Sequence, residues 1–329
     1  MYFKHFFLLC ISYGKIKMIV TSKIMKVILM FDKIMNFIEY FKYLNNPIST
    51  LLFKFGFKKE SEIKVKNTNK VIKLNSTQIL DRLMNLLPVV AEDKFENFIN
   101  YICDLSEDKE IIYIDNIKYY NVFNNNFKKK HSKMYNLCNE EFFTDDQWTM
   151  IDFKNRNVID IGANVADTAL YFAKEGAKVI GFEPVKHLYE LGHENILLNP
   201  NLKANIRLIN KAVGGKRGTL NISNQSTIEY IDGDDYDIDV ITVTDILNNY
   251  DFPADVLKMD CEGCEFEIIL NEDLSRFNDI IFEHHSIFVD ENHEILVSTL
   301  KKQGFKINLY PNNSIKRKFE DIGIIHAFK

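Results

Sequence analysis

The sequence predicts an α/β chain whose C-terminal half is a doubly wound, mostly parallel β-sheet with helices on both faces. Three observations predict it. From residue 157 onward, short β-branched runs alternate with stretches of helical spacing, the pattern of successive βαβ units. Four runs end in an acid or a glycine turn: Asp160-Ile161-Gly162-Ala163-Asn164, Phe182-Glu183-Pro184, Lys258-Met259-Asp260 and Glu283-His284-His285. The last two apolar runs, 306–310 and 322–328, follow each other without a helix between them, which suits a reversed closing hairpin.

The elements follow in order. Residues 1–60 form a basic extension and linker. They hold ten Lys against Asp32, Glu39 and Glu60, a net +7, while the whole chain carries −5. In 24–44, Ile24, Val27, Ile28, Phe31, Ile34, Met35, Ile38 and Phe41 share one helical face, and Lys26, Lys33 and Asn36 lie opposite. This is an amphipathic helix that reads first as packed on a neighbour. The sharper reading is peripheral contact with an anionic membrane surface. No transmembrane span is predicted, because charges interrupt the apolar stretches. Residues 61–150 read as a small α+β region. Helical spacing runs through 76–106, with Asp93 as a candidate cap. A hairpin turns at Asp115-Asn116, and polar sequence covers 121–141. Residues 151–329 hold the sheet. Strands are expected at 158–161, 178–182, 205–210, 255–259 and 279–282, and helices at 165–176, 186–198, 263–270 and 291–302.

Composition narrows the classes. The 329 residues are 46% hydrophobic, enough for a sizeable core, and 13 Gly with 6 Pro exclude collagen-like and Pro/Gly-rich chains. The net charge argues against a nucleic-acid partner. Five cysteines, at 10, 103, 138, 261 and 264, are too sparse for a secreted disulfide scaffold and point to a reducing, cytoplasmic setting.

Ligands of such a sheet sit at the carboxyl ends of its strands. Gly162 permits close backbone approach at the first turn, and the following helix aims amide donors there. Glu183 stands 21 residues after Gly162, about the spacing at which an acid grips ribose hydroxyls. The dinucleotide fingerprint requires Gly at 162, 164 and 167, but the chain has Gly162, Asn164 and Asp167. A cofactor without a pyrophosphate fits better, and S-adenosylmethionine is the candidate.

Residues 157–285 resemble the FkbM family of class I S-adenosylmethionine-dependent methyltransferases. The resemblance rests on the strand-end motifs above, Asn199, Lys211-Ala212-Val213-Gly214, the Thr242 to Leu247 segment, and Asp260-Cys261-Glu262-Gly263-Cys264-Glu265. It implies a Rossmann-like sheet of seven strands, the last antiparallel, and O-methylation of a hydroxyl on a sugar or glycan acceptor. The acceptor is a candidate for lipid linkage if the extension meets a membrane. One departure is Ala166, where the family commonly has Gly.

By resemblance, Asp160, Gly162, Ala163, Asn164 and Thr168 bind the methionine part, Glu183 with Pro184 the ribose, and Ala212 the adenine. Asp260, Glu283 and His285 are the catalytic candidates, with His285 favoured as general base and His284 and Glu262 beside them. No metal site is expected, and a divalent cation on Asp260 and Glu283 is the minor alternative. Other readings are structural. Cys261 and Cys264 read as two buried core thiols, Gly214 to Gly218 as a hairpin turn, 229–239 as a solvated acidic loop, and His187 and His193 as surface residues. The rival functions are an NAD-dependent oxidoreductase and a non-catalytic scaffold with a methyltransferase fold.

Overall fold

The computed structural model describes residues 38–74, 76–130, 142–143, 148–222, 236–289, 291–311 and 318–329. Most of the amphipathic segment 24–44, and residues 229–235 of the acidic stretch, lie outside them. Contacts divide the chain into two compact units, Met1–Val71 and Ile72–Lys329. Residues 72–150 thus share a unit with the sheet that follows. No helix among the described residues is long and apolar enough to cross a membrane.

In the first unit, α1 (Pro47–Lys54) starts on a proline, whose fixed φ and missing N–H suit a first helical turn. After it comes β1 (Ser61–Lys64). The chain closes on itself through Asn45 N–H to Lys64 O at 2.7 Å and Lys66 N–H to Tyr43 O at 2.8 Å.

Strand β2 (Val71–Leu74) lies at the junction of the units. Helix α2 (Thr77–Leu86) buries Ile79, Leu80, Leu83 and Met84, and α3 (Phe95–Ser106) buries Phe98, Ile99, Tyr101, Ile102 and Leu105. Both are the helical spacings read from the sequence. Asp93 does not cap α3. It sits in a 3-10 turn, and the flanking residue is Lys94. The expected hairpin pairs β3 (Ile111–Ile114) with β4 (Ile117–Tyr120), and its turn residues Asp115 and Asn116 have φ of 49° and 63°. The polar stretch beyond it contains a short helix, α4 (Asn125–Lys130). Asn124 Oδ1 accepts the amides of Asn126 and Phe127 there, an N-cap that a reading by hydrophobic period passes over.

The sheet domain comprises β5 (Asn157–Ile161), α5 (Asp167–Lys174), β6 (Lys178–Phe182), α6 (Lys186–Leu198), α7 (Pro200–Lys203), β7 (Ile206–Ile209), β8 (Ala212–Val213), β9 (Gly218–Ile222), β10 (Tyr236–Ile241), α8 (Val243–Asn249), β11 (Val256–Met259), α9 (Cys264–Asn271), β12 (Asp279–His284), α10 (His293–Lys302), β13 (Lys306–Pro311) and β14 (Gly323–Phe328). The main sheet has seven strands in the order β13-β14-β12-β11-β5-β6-β7. Strands β12, β11, β5, β6 and β7 run parallel, and β14 is antiparallel to both β12 and β13. This is the Rossmann-like arrangement of seven strands, the last antiparallel, that the resemblance implies. All four residues of β11 are buried, as expected of a central strand covered on both faces.

The turn at Gly214 to Gly218 is not a hairpin. β8 and β9 do not pair with each other; both pair with β10, which lies between them in a three-stranded sheet. The glycines serve close packing instead, since a Cβ on Gly215 would stand 2.1 Å from Glu267 O on α9. Helix α8 starts in a capping box in which Thr242 and Asp245 exchange side-chain and backbone bonds.

Two features tie the domain together away from the strand carboxyl ends. Arg156 bridges Asp255 at 3.1 Å and Asp279 at 2.7 Å, joining the starts of β5, β11 and β12. At the C-terminal cap of α6, Asn199 Oδ1 accepts from Lys118 N–H at 3.0 Å and its Nδ2 donates to Lys118 O at 2.8 Å. Asn195 Oδ1 accepts from Tyr120 N–H, and its Nδ2 donates to Val165 O, both at 3.0 Å. These two amides pair with the exposed edge of β4 as a neighbouring strand would.

Candidate functional site

Strand register sets the site. Ile161 pairs with Phe182 on one side and Met259 on the other, and Met259 pairs with Phe282. The next residues, Gly162, Glu183, Asp260 and Glu283, therefore stand in one row across four adjacent parallel strands. Four motifs far apart in sequence become one line at the carboxyl edge, where an α/β sheet binds ligands.

The first turn is built on left-handed backbone. Gly162, Asn164 and Ala166 have φ of 76°, 47° and 62°. Gly162 is required by its neighbour, because a Cβ there would lie 1.8 Å from Asp260 O. Ala166 caps α5 in a conformation that favours glycine. Ala163 is buried, and Gly162 and Ala163 N–H both donate to Phe182 O at 3.0 Å.

Glu183 is buried and lies over that turn. Its Oε2 accepts from Asn164 N–H and its Oε1 from Val185 N–H, each at 2.8 Å. Burial pushes its carboxyl up to about 7, against the pull of those amides and of Lys258. A carboxylate offers about four acceptor positions, so two remain for a vicinal diol. Asn210 Nδ2 donates to the carbonyls of Glu183 and Pro184 at 2.8 and 3.1 Å, fixing the end of β6.

Asp160 sits two residues below the row, fully buried. Lys258 faces it directly across β11 and β5, with Nζ 2.9 Å from Asp160 Oδ1 and 3.0 Å from Gly162 O. Burial lowers the Lys258 ammonium, but Asp160 and Asp260 outweigh it and the net shift is upward. Thr168 Oγ1 donates to Asp160 Oδ2 at 2.6 Å, so this hydroxyl supports Asp160 from within the fold. Buried Asp167 beside them is pushed up to about 7, chiefly by burial. The sequence reading assigned no role to Lys258 or Asp167. A lysine amid the apolar residues of a central strand was the available signal, since such a charge requires a buried partner.

At the other end of the row, His285 Nε2 lies 3.4 Å from Glu283 Oε2, 3.5 Å from Glu262 Oε2 and 3.9 Å from Asp260 Oδ1. Its Nδ1 donates to Glu265 Oε1 at 2.6 Å. Burial disfavours the imidazolium, but the bonds to Glu265 and Glu283, with the charges of Glu265 and Asp260, raise it to about 11. Glu262 is pushed up to about 7 by desolvation and by Asp260, Glu283 and Glu265, opposed by His285, although its side chain is 66% exposed. His284 points the other way, packing between His293 and Phe319 at ring distances of 4.9 and 5.0 Å. This is the alternation expected along a strand.

The remaining predicted residues lie apart from this row. Ala212 is buried in β8 against Val240. His193 is exposed, but His187 is buried and not the surface residue expected, because it shares the inward face of α6 with Leu188 and Leu191. Cys261 and Cys264 are not core thiols. They are half-buried and joined by a disulfide, their Cα atoms brought to 5.5 Å by a left-handed turn at Glu262 and Gly263. Counting them as free thiols therefore no longer supports a reducing compartment.

Residues 160–307 match the family described as Methyltransferase FkbM domain. Among solved structures, the chain is similar to a methyltransferase FkbM from Methylobacillus flagellatus KT, at 14% identity and a TM-score of 0.40, covering 75% of this chain and 60% of that one. It is also similar to M. capricolum TrmK in complex with S-adenosyl-homocysteine, at 11% identity and a TM-score of 0.36, covering 55% and 64%. A third is magnesium protoporphyrin IX methyltransferase (ChlM) from Synechocystis PCC 6803 with bound SAM, at 13% identity and a TM-score of 0.34, covering 54% and 72%. No curated protein matches the chain.

Proposed function

Since residues 160–307 are a methyltransferase FkbM domain, we propose that the chain moves a methyl group from S-adenosylmethionine to a hydroxyl of a sugar or glycan. The observation that carries this is the single row of Gly162, Glu183, Asp260 and Glu283 across four parallel strands. One end of the row suits an adenosyl ribose, and the other suits a hydroxyl acceptor.

The donor set fits the cofactor. Glu183 has two acceptor positions left for the ribose diol. The left-handed turn at 162–166, anchored through Lys258 to Asp160, is the place proposed for the methionine part. S-adenosylmethionine supplies an electrophilic methyl group on a cationic sulfonium, which the neighbouring carboxylates favour. In the transfer, the acceptor O–H bond breaks and its oxygen bonds the methyl carbon, while the S–C electron pair stays on sulfur. The proton passes to Glu262, one of the carboxylates at this end of the row, whose 66% exposure returns the proton to solvent. His285 orients that carboxylate from 3.5 Å. The rest is positioning. The carboxylates Asp260, Glu262 and Glu283 around the acceptor end repel phosphate backbones, which supports a neutral hydroxyl compound over a nucleic acid.

Calorimetry of the full chain with S-adenosylmethionine tests the reading, followed by transfer of labelled methyl to a panel of free and lipid-linked sugars. Saturable heat is expected, with affinity at least tenfold weaker in Glu183→Ala. No heat, or an unchanged affinity in that variant, overturns it. NAD in the same calorimeter is expected to give none.

A further inference from the structure

We propose that the outer face of α1 and the turn after it, formed by Ile48, Leu52, Phe55 and Phe57, docks on an anionic membrane surface. The proposal concerns the unit Met1–Val71 and is independent of the methyl-transfer reading.

Helix α1 is apolar on two opposite sides. At about 100° per residue, Ile48, Leu52 and Phe55 fall within an arc of about 60°, and Thr50 and Phe53 lie on the far side. Thr50 and Phe53 are buried in the unit. Ile48 is 66% exposed, Leu52 38% and Phe55 51%. A helix with one packed side and a second, uncovered apolar stripe has a face left to bury.

Phe57 extends that stripe and is held there by backbone. Gly56 has φ of 76°. Its N–H donates to Phe53 O at 3.0 Å, and Phe57 N–H donates to Leu52 O at 2.8 Å. These are the two bonds of a Schellman end, which turns the residue after the glycine toward the side of the helix that Leu52 occupies. Phe57 is nevertheless 77% exposed. From the apolar face read in 24–44, the described residues Ile38 and Phe41 are exposed as well.

Charge selects the occupant. Lys58 and Lys59 follow Phe57 directly and are exposed. The unit holds 13 Lys against Asp32, Glu39, Glu60 and Glu62, a net +9; with −5 for the whole chain, the other residues carry −14. A second copy would bring the same lysines to the face and be repelled. A nucleic acid would match the charge but leave the Ile, Leu and Phe stripe without an apolar partner. A bilayer with anionic headgroups accepts both, the apolar side chains at the acyl boundary and the lysines among the headgroups. The eight residues of α1 rise about 12 Å against a hydrocarbon core of about 30 Å, so the helix lies on the surface and does not cross it.

The test is cosedimentation of the full chain with vesicles of phosphatidylcholine alone, or of phosphatidylcholine and phosphatidylserine in equal parts. Saturable binding is expected on the mixed vesicles, at least tenfold tighter than on phosphatidylcholine. The double variant Phe55→Ser with Phe57→Ser, at exposed positions, is expected to weaken it at least tenfold, as is Lys58→Glu with Lys59→Glu. Phe57→Trp keeps the face apolar and reports insertion: its emission is expected to shift to the blue on mixed vesicles, whereas the wild type, whose single Trp148 is buried, does not shift. No binding to mixed vesicles, wild-type affinity in the phenylalanine variant, or an unshifted Phe57→Trp on bound protein overturns the proposal. A concentration-dependent dimer in sedimentation velocity, lost in the phenylalanine variant and accompanied by no vesicle binding, assigns the face to a second copy and overturns it too.

Discussion

Replacing Lys258 by methionine removes one half of a cross-strand ion pair that is almost entirely shut off from water. Lys258 is 1% exposed and Asp160 0%, with 2.9 Å between Nζ and Oδ1. The variant leaves the buried Asp160 carboxyl with only Thr168 as donor and frees Gly162 O as well. Breaking a buried pair from one side costs about 3–5 kcal/mol. At the lower figure, and with roughly 2–4 °C of Tm per kcal/mol in a domain of this size, the melting point falls by about 6–12 °C. The assay is thermal melting followed by circular dichroism, with urea titration as a second measure. The double variant Lys258→Met with Asp160→Leu removes both charges and is expected to recover at least half of the loss, since an apolar pair of similar volume replaces a buried ion pair at little cost. A melting point for Lys258→Met within about 2 °C of wild type would refute the account of how the first turn is held.

Other outcomes follow from the same geometry. Ala166→Gly relieves a left-handed alanine at φ 62° and is expected to stabilise by about 1 kcal/mol in urea titration, a loss of stability being the contrary result. Gly162→Ala places a methyl group 1.8 Å from Asp260 O, so cofactor affinity is expected to drop at least tenfold in calorimetry. Burial holds Asp167 and Glu183 up to about 7, from ordinary values of 3.8 and 4.5. The folded state then binds more protons than the unfolded one between those values, so ligand-free stability falls as pH rises from about 4 to 7. A diol donates to the ionised form of Glu183, so cofactor affinity is expected to rise across the same window, and Glu183→Gln to flatten the rise. Arg156→Leu breaks the clamp at the opposite strand ends; melting should fall while cofactor affinity holds, and a tenfold affinity loss would contradict that separation.

The sheet was legible because its strands are short β-branched runs whose period differs from that of the helices between them, and because four of the five parallel strands stop at an acid or glycine. The register then turned those stops into one row, which local pattern alone cannot establish. Lys258 escaped because a charge inside a run of Val, Leu and Met reads as an exposed position until its partner across the sheet is known. Glu265 was visible only as part of a motif, its contact with His285 depending on how α9 packs on β12. The supposed hairpin at Gly214 to Gly218 failed because β10, 18 residues further on, takes both partners; two glycines and a turn do not reveal a third strand. Cys261 and Cys264 were misjudged because closure depends on positive φ at Glu262, a non-glycine residue with no sequence cue for it.

The amide pair on α6 has a consequence for cooperativity. Three of its bonds hold the hairpin edge at Lys118 and Tyr120, and the fourth reaches Val165 in the first turn of the sheet. A fluctuation that peels the hairpin away must loosen Asn195, and with it the loop that closes over β5. The hairpin and that loop are therefore expected to open together in amide exchange although some 45 residues separate them along the chain.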